Sequence, residues 1–347
     1  MARGVIALLG SGETAPGMTK VHRRLLARHD QVRAVNLDTP YGFQENVPQV
    51  TGKLVEYFST SLSTTLIPLT FPSFESANET ERDLIKGVVR SATYVFAGPG
   101  SPSYALAQWR PLDLVSDLRK VLAANGTVCF SSAAVLTLGS HTAPIYEIYK
   151  VGSPPTWLEG LDLFADLGLS CAAIPHFDNA EGRNYDTRYC YLGERRLIAL
   201  EEQLPAETAV LGVDEHTALV FDVETDTVSV TGRGQGHWRH HGHTLTLANG
   251  STTELSILRG ESLPSTAQVT SPVLRDDTGR LEDLLASLSG TTFDPTPLIE
   301  SLVQLRDSYK RQGQYDVADE LRSLLTDVGV EVHDQPDRTT WTFPPSA

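Results

Sequence analysis

The stretch Gly126-Thr-Val-Cys-Phe-Ser-Ser-Ala-Ala-Val135 constrains this chain more than any other. Thr127 to Phe130 are β-branched, aromatic or apolar and too few for a helix, so they predict a buried strand. The run stops at two serines and small residues, and Ala133 to Leu138 can open a helix. A serine on a strand-to-helix turn is lifted clear of the sheet. The backbone N–H groups that follow it face any charge that develops on an attacked carbonyl. Ser132 is the candidate nucleophile and Ser131 its rival. The plain alternative is a strand end whose serine caps the helix.

Around this turn the chain alternates strands and helices. Gly4 to Leu9, Val32 to Leu37, Leu66 to Leu69 and Ala92 to Ala97 read as strands. Met18 to His29, Asn46 to Ser59, Thr80 to Arg90 and Ser103 to Trp109 read as helices. That alternation, continued to about residue 140, predicts an α/β fold with a mostly parallel sheet flanked by helices. The loop Gly10-Ser-Gly-Glu13 follows the first strand's carboxyl end, the ligand side of such a sheet, although it lacks the third glycine of a dinucleotide fingerprint. Gly98-Pro-Gly-Ser-Pro102 follows a later strand. It is either a turn or, through backbone N–H groups around Gly100, part of an oxyanion hole.

Further along, Leu169 to Ile174 predicts a strand that delivers His176 past its carboxyl end, where Ser132 would be. Val210 to Val213 is a strand leading into Asp214-Glu215-His216-Thr217, where Glu215 either orients a histidine or is a solvated carboxylate. Pro144 to Lys150 and Gly152 to Trp157 read as an extended excursion near the mouth of a site. Thr227 to Thr231, Thr244 to Leu247 and Thr253 to Leu258 predict antiparallel strands. The histidine-rich run Gly236 to His243 reads as a polar hairpin tip, not a metal site, because neither cysteines nor helical i, i+4 histidine pairs accompany it.

Composition narrows the classes of function. A length of 347 residues suits about two domains, and the net charge of −15 argues against a nonspecific grip on nucleic acid or anionic membrane. Three widely spaced cysteines look like reduced thiols. The N-terminal apolar run is too short for a signal peptide or membrane span, so a cytoplasmic protein is expected.

The Gly98 to Ser101 loop, Ser132-Ala-Ala, His176-Phe and Gly212-Val-Asp-Glu-His-Thr-Ala218, in that order, resemble the serine peptidase family of dipeptidase E and cyanophycinase. That family's fold is similar to the class I glutamine amidotransferase domain. The resemblance covers roughly residues 4 to 258. It implies Ser132 as nucleophile, His176 as base, Glu215 as third member with Asp178 as rival, and Gly100 with Ala133 as oxyanion donors. Cofactors and metals are not implied. The family elbow reads Gly-x-Ser-Ala-Gly, whereas Phe130 and Ala134 stand at its glycine positions here, so a strained turn is expected. Arg183, Arg188, Arg195 and Arg196 either clamp a substrate carboxylate or pair with neighbouring acids.

After Arg259 a Ser, Pro, Thr and Asp-rich stretch reads as a linker, giving a catalytic domain over 1–260, a linker over 261–297 and a helical module over 298–347. Leu281 to Leu288 suits a short helix, and Leu298 to Arg311 with Tyr315 to Val328 a helical hairpin. Leu305-Arg306, Lys310, Tyr315, Ala318-Asp-Glu-Leu-Arg322, Gly329-Val-Glu-Val332, Asp334 and Trp341 resemble the C-terminal segment of cysteinyl-tRNA synthetase. From residue 298 onward five basic residues stand against nine acidic ones, a net of −4. Phosphate neutralisation is therefore poorly supplied, and docking or homodimerisation is expected ahead of tRNA binding. The expected function is a metal-independent serine hydrolase cleaving an amide in a small peptide or amino-acid conjugate. The alternative is a non-catalytic ligand-binding or tRNA-associated protein on the same fold.

Overall fold

The computed structural model describes residues 4–71, 73–182, 184–261 and 296–311, together with 318, 321–322, 325–326, 330–334 and 339–342. Strands buried at every position need neighbours on both edges and cover on both faces. β1 (Val5–Leu9), β2 (Ala34–Leu37), β4 (Tyr94–Ala97) and β5 (Thr127–Ser131) are such strands. With β3 (Leu66–Leu69) they run parallel in the order β3-β2-β4-β5-β1. Beyond β1 the sheet continues antiparallel through β10 (Thr217–Asp222), β11 (Thr227–Gly232) and β14 (Thr252–Glu254), making eight strands.

Alternate residues of the parallel strands feed two cores. Ile6, Leu8, Val128 and Phe130 face the helices α3 (Glu79–Ser91), α4 (Pro102–Trp109) and α5 (Leu114–Ala123). Val5, Ala7, Leu9 and Cys129 face α1 (Pro16–Leu26) and α2 (Val47–Leu62). The large sheet is thus flanked by helices, as the alternation predicts. α3 starts cleanly because Asn78 and Glu81 form a reciprocal capping box.

A second, smaller sheet was not legible in the pattern. β8 (Cys171–Ile174) and β9 (Ala209–Val213) are parallel, and β12 (Gly236–His240) and β13 (His243–Leu247) extend them antiparallel. β9 and β10 follow one another in sequence but belong to different sheets. The chain turns through Asp214 to His216, where Asp214 N–H donates to Gln235 O at 3.1 Å and Gly10 N–H to Thr217 O at 2.9 Å. Gly10 is required there, because a Cβ would stand 2.0 Å from the Asp214 carbonyl oxygen.

Other details differ from expectation. α5 was not anticipated. Leu255 to Leu258 form a short helix, α7, after β14 ends at Glu254. The histidine-rich run is mostly strand β12, with the turn only at His241 and Gly242. β6 (His141–Thr142), β7 (Leu158–Glu159) and α6 (Glu194–Glu201) also belong to this part, and Glu147–Val151 forms a π-helical turn where an extended excursion is expected from sequence. No described helix is long and apolar enough to cross a membrane.

The chain divides into two compact units, Met1–Arg275 and Asp276–Ala347. The expected linker and the short helix at Leu281 to Leu288 lie almost wholly outside the described residues. In the second unit α8 (Thr296–Arg311) supplies Ile299 and Val303, which pack with Leu325, Val330 and Val332. The hairpin of β15 (Glu331–Asp334) and β16 (Thr339–Thr342) pairs Val332 with Trp341. Most of the expected second helix, Tyr315 to Val328, is outside the described residues. Arg306 is 1% exposed and is held by Asp334 through two hydrogen bonds of 2.8 and 2.7 Å.

Candidate active site

β5 ends at Ser131, and the next residue, Ser132, takes a left-handed backbone conformation with φ of 52°. For an L-residue that conformation costs on the order of 1–2 kcal/mol, so it persists only where the surroundings impose it. The 3₁₀ turn Ser132–Thr137 follows in place of the α-helix expected from Ala133. Phe130 and Ala134, at the two positions where the resemblance led glycine to be expected, are fully buried. Phe130 packs its ring 5.7 Å from that of Trp109, so its bulk is absorbed in the core shared with α4.

The two serines have different environments. Ser131 is fully buried and its hydroxyl donates to Glu13 Oε2 at 3.1 Å. Ser132 Oγ is partly exposed and lies 2.8 Å from His176 Nε2. His176, just beyond β8, also has positive φ (48°), and its Nδ1 is 2.8 Å from Glu215 Oε1. Serine from the large sheet, histidine from the small sheet and glutamate from the crossover between them therefore form one hydrogen-bonded chain. The carboxyl of Glu215 is held below its ordinary range, first by the hydrogen bond from His176 and also by that from Asn179.

Two neighbours fix Glu215: Asn179, which was not assigned a role from sequence, and Asp178. Asn179 Nδ2 donates to Glu215 Oε1 at 3.1 Å, and Asn179 N–H donates to His176 O at 3.1 Å. Asp178, the rival third member, accepts the backbone N–H of Glu215 at 2.7 Å through Oδ1. Burial pushes the Asp178 carboxyl up. Ser11 in the first loop accepts His216 N–H at 3.0 Å, which ties that loop to the same crossover. The signal that could have found Asn179 is its place three residues after the histidine, on the same turn.

Gly100 has φ of 148°, and a Cβ there would stand 2.0 Å from Pro40 O. Its loop is pinned by Ser101 N–H donating to Pro40 O at 2.7 Å, while Gly100 N–H has no protein acceptor among the described residues. β4 pairs Ala97 with Phe130 of β5, so this loop emerges beside Ser131 and Ser132. Ala133 is the first residue after the candidate nucleophile. Arg188 is engaged elsewhere, by Asp186 at 2.9 and 2.8 Å. Arg183 lies outside the described residues. Arg196 donates to Leu192 O at 3.2 Å. Among the described residues there is no group of three or more His, Cys, Asp or Glu side chains able to hold a metal ion. In the histidine-rich strand, His237 pairs with Asp214 at 2.8 Å.

No family model matches the chain. Among solved structures it is similar to a peptidase from an acI-B1 Actinobacterium, with a TM-score of 0.57 and 20% identity over 73% of this chain and 97% of that one. A Listeria monocytogenes EGD-e protein named for peptidase E gives a TM-score of 0.44 at 12% identity, over 67% of this chain and all of that one. A 44-residue stretch is 41% identical to the cysteine–tRNA ligase of Aeropyrum pernix, covering 13% of this chain and 9% of the ligase. The chain thus spans about a tenth of the length of that curated relative. The acI-B1 peptidase likeness extends to the fold: an α/β protein whose large, mostly parallel sheet is flanked by helices.

Proposed function

We propose that the protein is a serine hydrolase that cleaves an amide bond of a small peptide or amino-acid conjugate through an acyl-enzyme. The observation that carries this reading is the continuous chain from Ser132 Oγ through His176 to Glu215, with both contacts at 2.8 Å and the serine on a left-handed turn. Such contacts lie within the reach that general-base catalysis needs.

Ser132 Oγ attacks the amide carbonyl while His176 Nε2 takes its proton, and the carbonyl electrons move onto oxygen. Gly100 and Ala133 N–H groups receive that oxyanion. Each such donor is worth roughly 10²- to 10³-fold in turnover. His176 then passes its proton to the leaving amine as the C–N bond breaks. Water, deprotonated by His176, attacks the acyl-serine; the ester C–O bond breaks, Ser132 Oγ takes the proton back from His176, and the acid leaves. Glu215 fixes the histidine tautomer and stabilises the imidazolium, and Asn179 holds Glu215 in place.

The test is labelling with a fluorophosphonate probe and mapping of the modified residue. Ser132→Ala should abolish labelling and hydrolysis, whereas Ser131→Ala should retain most of both. Labelling that survives the first change and vanishes with the second would overturn the assignment. Turnover should also be indifferent to chelators, because the serine is activated by His176; activity lost to chelator and restored by zinc would sink this part of the reading.

The C-terminal unit we read as a docking or dimerisation module. Its likeness to a ligase segment favours tRNA as the other partner. Arg306, Lys310 and Arg322, however, all converge on Asp334, which leaves them poorly placed to neutralise phosphate. Binding of bulk tRNA that weakens steeply with salt would decide for the other reading.

A further inference from the structure

A cleft of about 680 Å³ is lined by Phe43, Ser103, Tyr104, Tyr146, Glu147 and Lys150, among others. Both walls are tied to the proposed catalytic groups. One wall, Ser101 to Tyr104, continues directly from the Gly100 loop beside Ser132. The other wall is stacked, through the rings of Tyr149 and Tyr191 4.8 Å apart at 12°, on the Tyr189–Tyr191 turn, which is bonded to the turn that carries His176. Cys190 N–H in turn donates to His176 O at 3.1 Å and Tyr189 N–H to Phe177 O at 3.0 Å. Tyr189, Cys190 and Tyr191 have φ of 60, 55 and 67°. Consecutive left-handed residues are uncommon because each carries a steric cost, and strain of this kind collects where a site over-determines its backbone.

The charges in this cleft are unequal. Glu147 is partly buried and already accepts the Ser103 hydroxyl. The Lys150 ammonium lies 5.2 Å from the ring centre of Tyr146 and 5.6 Å from that of Tyr149. No carboxylate among the described residues forms an ion pair with it. This cation faces aromatic surface instead. Phe43 is 50% exposed and Tyr146 37%, and the Phe43 and Tyr104 rings sit 5.1 Å apart.

We propose that this cleft is the subsite for the residue on the leaving side of the scissile amide, and that Lys150 pairs with that residue's free α-carboxylate. Phe43, Tyr104 and Tyr146 receive its apolar or aromatic side chain. The inference rests on the serine-hydrolase reading of the same site. Its consequence is that a terminal residue is removed: a residue in mid-chain carries an amide where Lys150 needs a carboxylate. For a partly exposed ion pair the preference amounts to about two- to fivefold in affinity.

The test measures binding to the full-length Ser132→Ala protein by calorimetry, with N-acetylphenylalanine and its carboxamide as the two probes. The acid should bind about two- to fivefold more tightly, with a preference that shrinks as salt is added. Lys150→Met should erase the preference while leaving amide affinity in place, and Lys150→Arg should keep most of it. Equal binding of acid and amide, failure of both to bind, or a preference that survives Lys150→Met would overturn the proposal. If Lys150→Met does not fold, salt decides: a preference that salt leaves unchanged refutes the ion pair. Because the readout is binding without the serine, absent turnover in the unmutated protein would refute the hydrolase reading separately.

Discussion

Two hollows connect to the turn that carries His176, one through the stack of Tyr149 on Tyr191 and one through Phe177 and Asp178 in its lining, and they treat charge in opposite ways. The cleft of Lys150 presents an ammonium with aromatic rings for company. The other, of about 410 Å³, is lined by Phe177, Asp178, Arg188, His237 and Arg239 among others, and its basic groups are largely spoken for. Arg239 is 2% exposed and donates to both oxygens of Glu201 and to Glu194. Arg188 is held by Asp186, and His237 pairs with Asp214 while stacking 4.7 Å from Phe177. Only Arg233, exposed at the rim, has no carboxylate partner among the described residues. An arginine in a hollow is therefore no evidence of a clamp until its partners are counted. Of the two roles open to Arg188, the structure has it paired with Asp186, and in the proposed subsite the carboxylate goes to Lys150.

The sharpest way to break this comparison is to substitute the acid on each side of the histidine turn. Glu215→Gln should lower kcat by roughly 10²- to 10⁴-fold, because it disturbs the histidine tautomer and loses the carboxylate that steadies the imidazolium. Asp178→Asn retains an acceptor for the Glu215 backbone N–H and should cost less than about tenfold. Steady-state kinetics on both variants decides, and a larger loss at Asp178 would exchange the two roles.

The next effect is on stability. Arg239→Met leaves Glu201 buried and uncompensated, which should cost about 3–5 kcal/mol. Lys150→Met removes no ion pair and should stay within about 0.5 kcal/mol of the unmutated protein. Urea unfolding of the two variants measures the difference. Similar losses would mean that Lys150 is structural.

The smallest effect is on the pH dependence of that stability, where the two carboxyls carry opposite signs. Glu215 has a lowered pKa in the folded protein. Its stabilisation is present above the unfolded value of about 4.3 and fades as pH falls through the folded value. Asp178 has a raised pKa. Its contribution is complete below the unfolded value of about 3.9 and is lost as pH rises through the folded value. From pH 7 to pH 4, Glu215→Gln should therefore become less destabilising relative to the unmutated protein and Asp178→Asn more so. Unfolding curves at the two pH values test the signs, and movement in the same direction would contradict them.

How much of this was legible in the sequence depends on how local the signal is. The first four strands, β5 and four of the helices α1 to α5 were readable because their apolar spacing is written within single segments. α5 was missed because it falls between Arg110 and Asn125, where no element is assigned from sequence once the preceding helix ends at Trp109. The small sheet was lost because its strands look, residue by residue, like those of the large one. Only the long-range pairing of β12 with β9 and of β10 with β1 shows that the chain changes sheets at Asp214.

The site divides in the same way. Ser132, His176 and Glu215 could be named from strand ends and motif order, because a turn after a strand in an α/β fold has few places to go. Tertiary structure alone decided that Ser132 and not Ser131 meets the histidine: the hand of the turn at φ 52° sends one hydroxyl to His176 and leaves the other buried on Glu13. It also decided which cations are open. Sequence supplies the number of arginines and lysines, but whether each is paired depends on acids that folding brings from distant segments, as Glu201 and Glu194 reach Arg239 and none among the described residues reaches Lys150. Periodicity acts over a few residues and is therefore printed in the chain. Charge pairing acts through space, and only the packed fold fixes it.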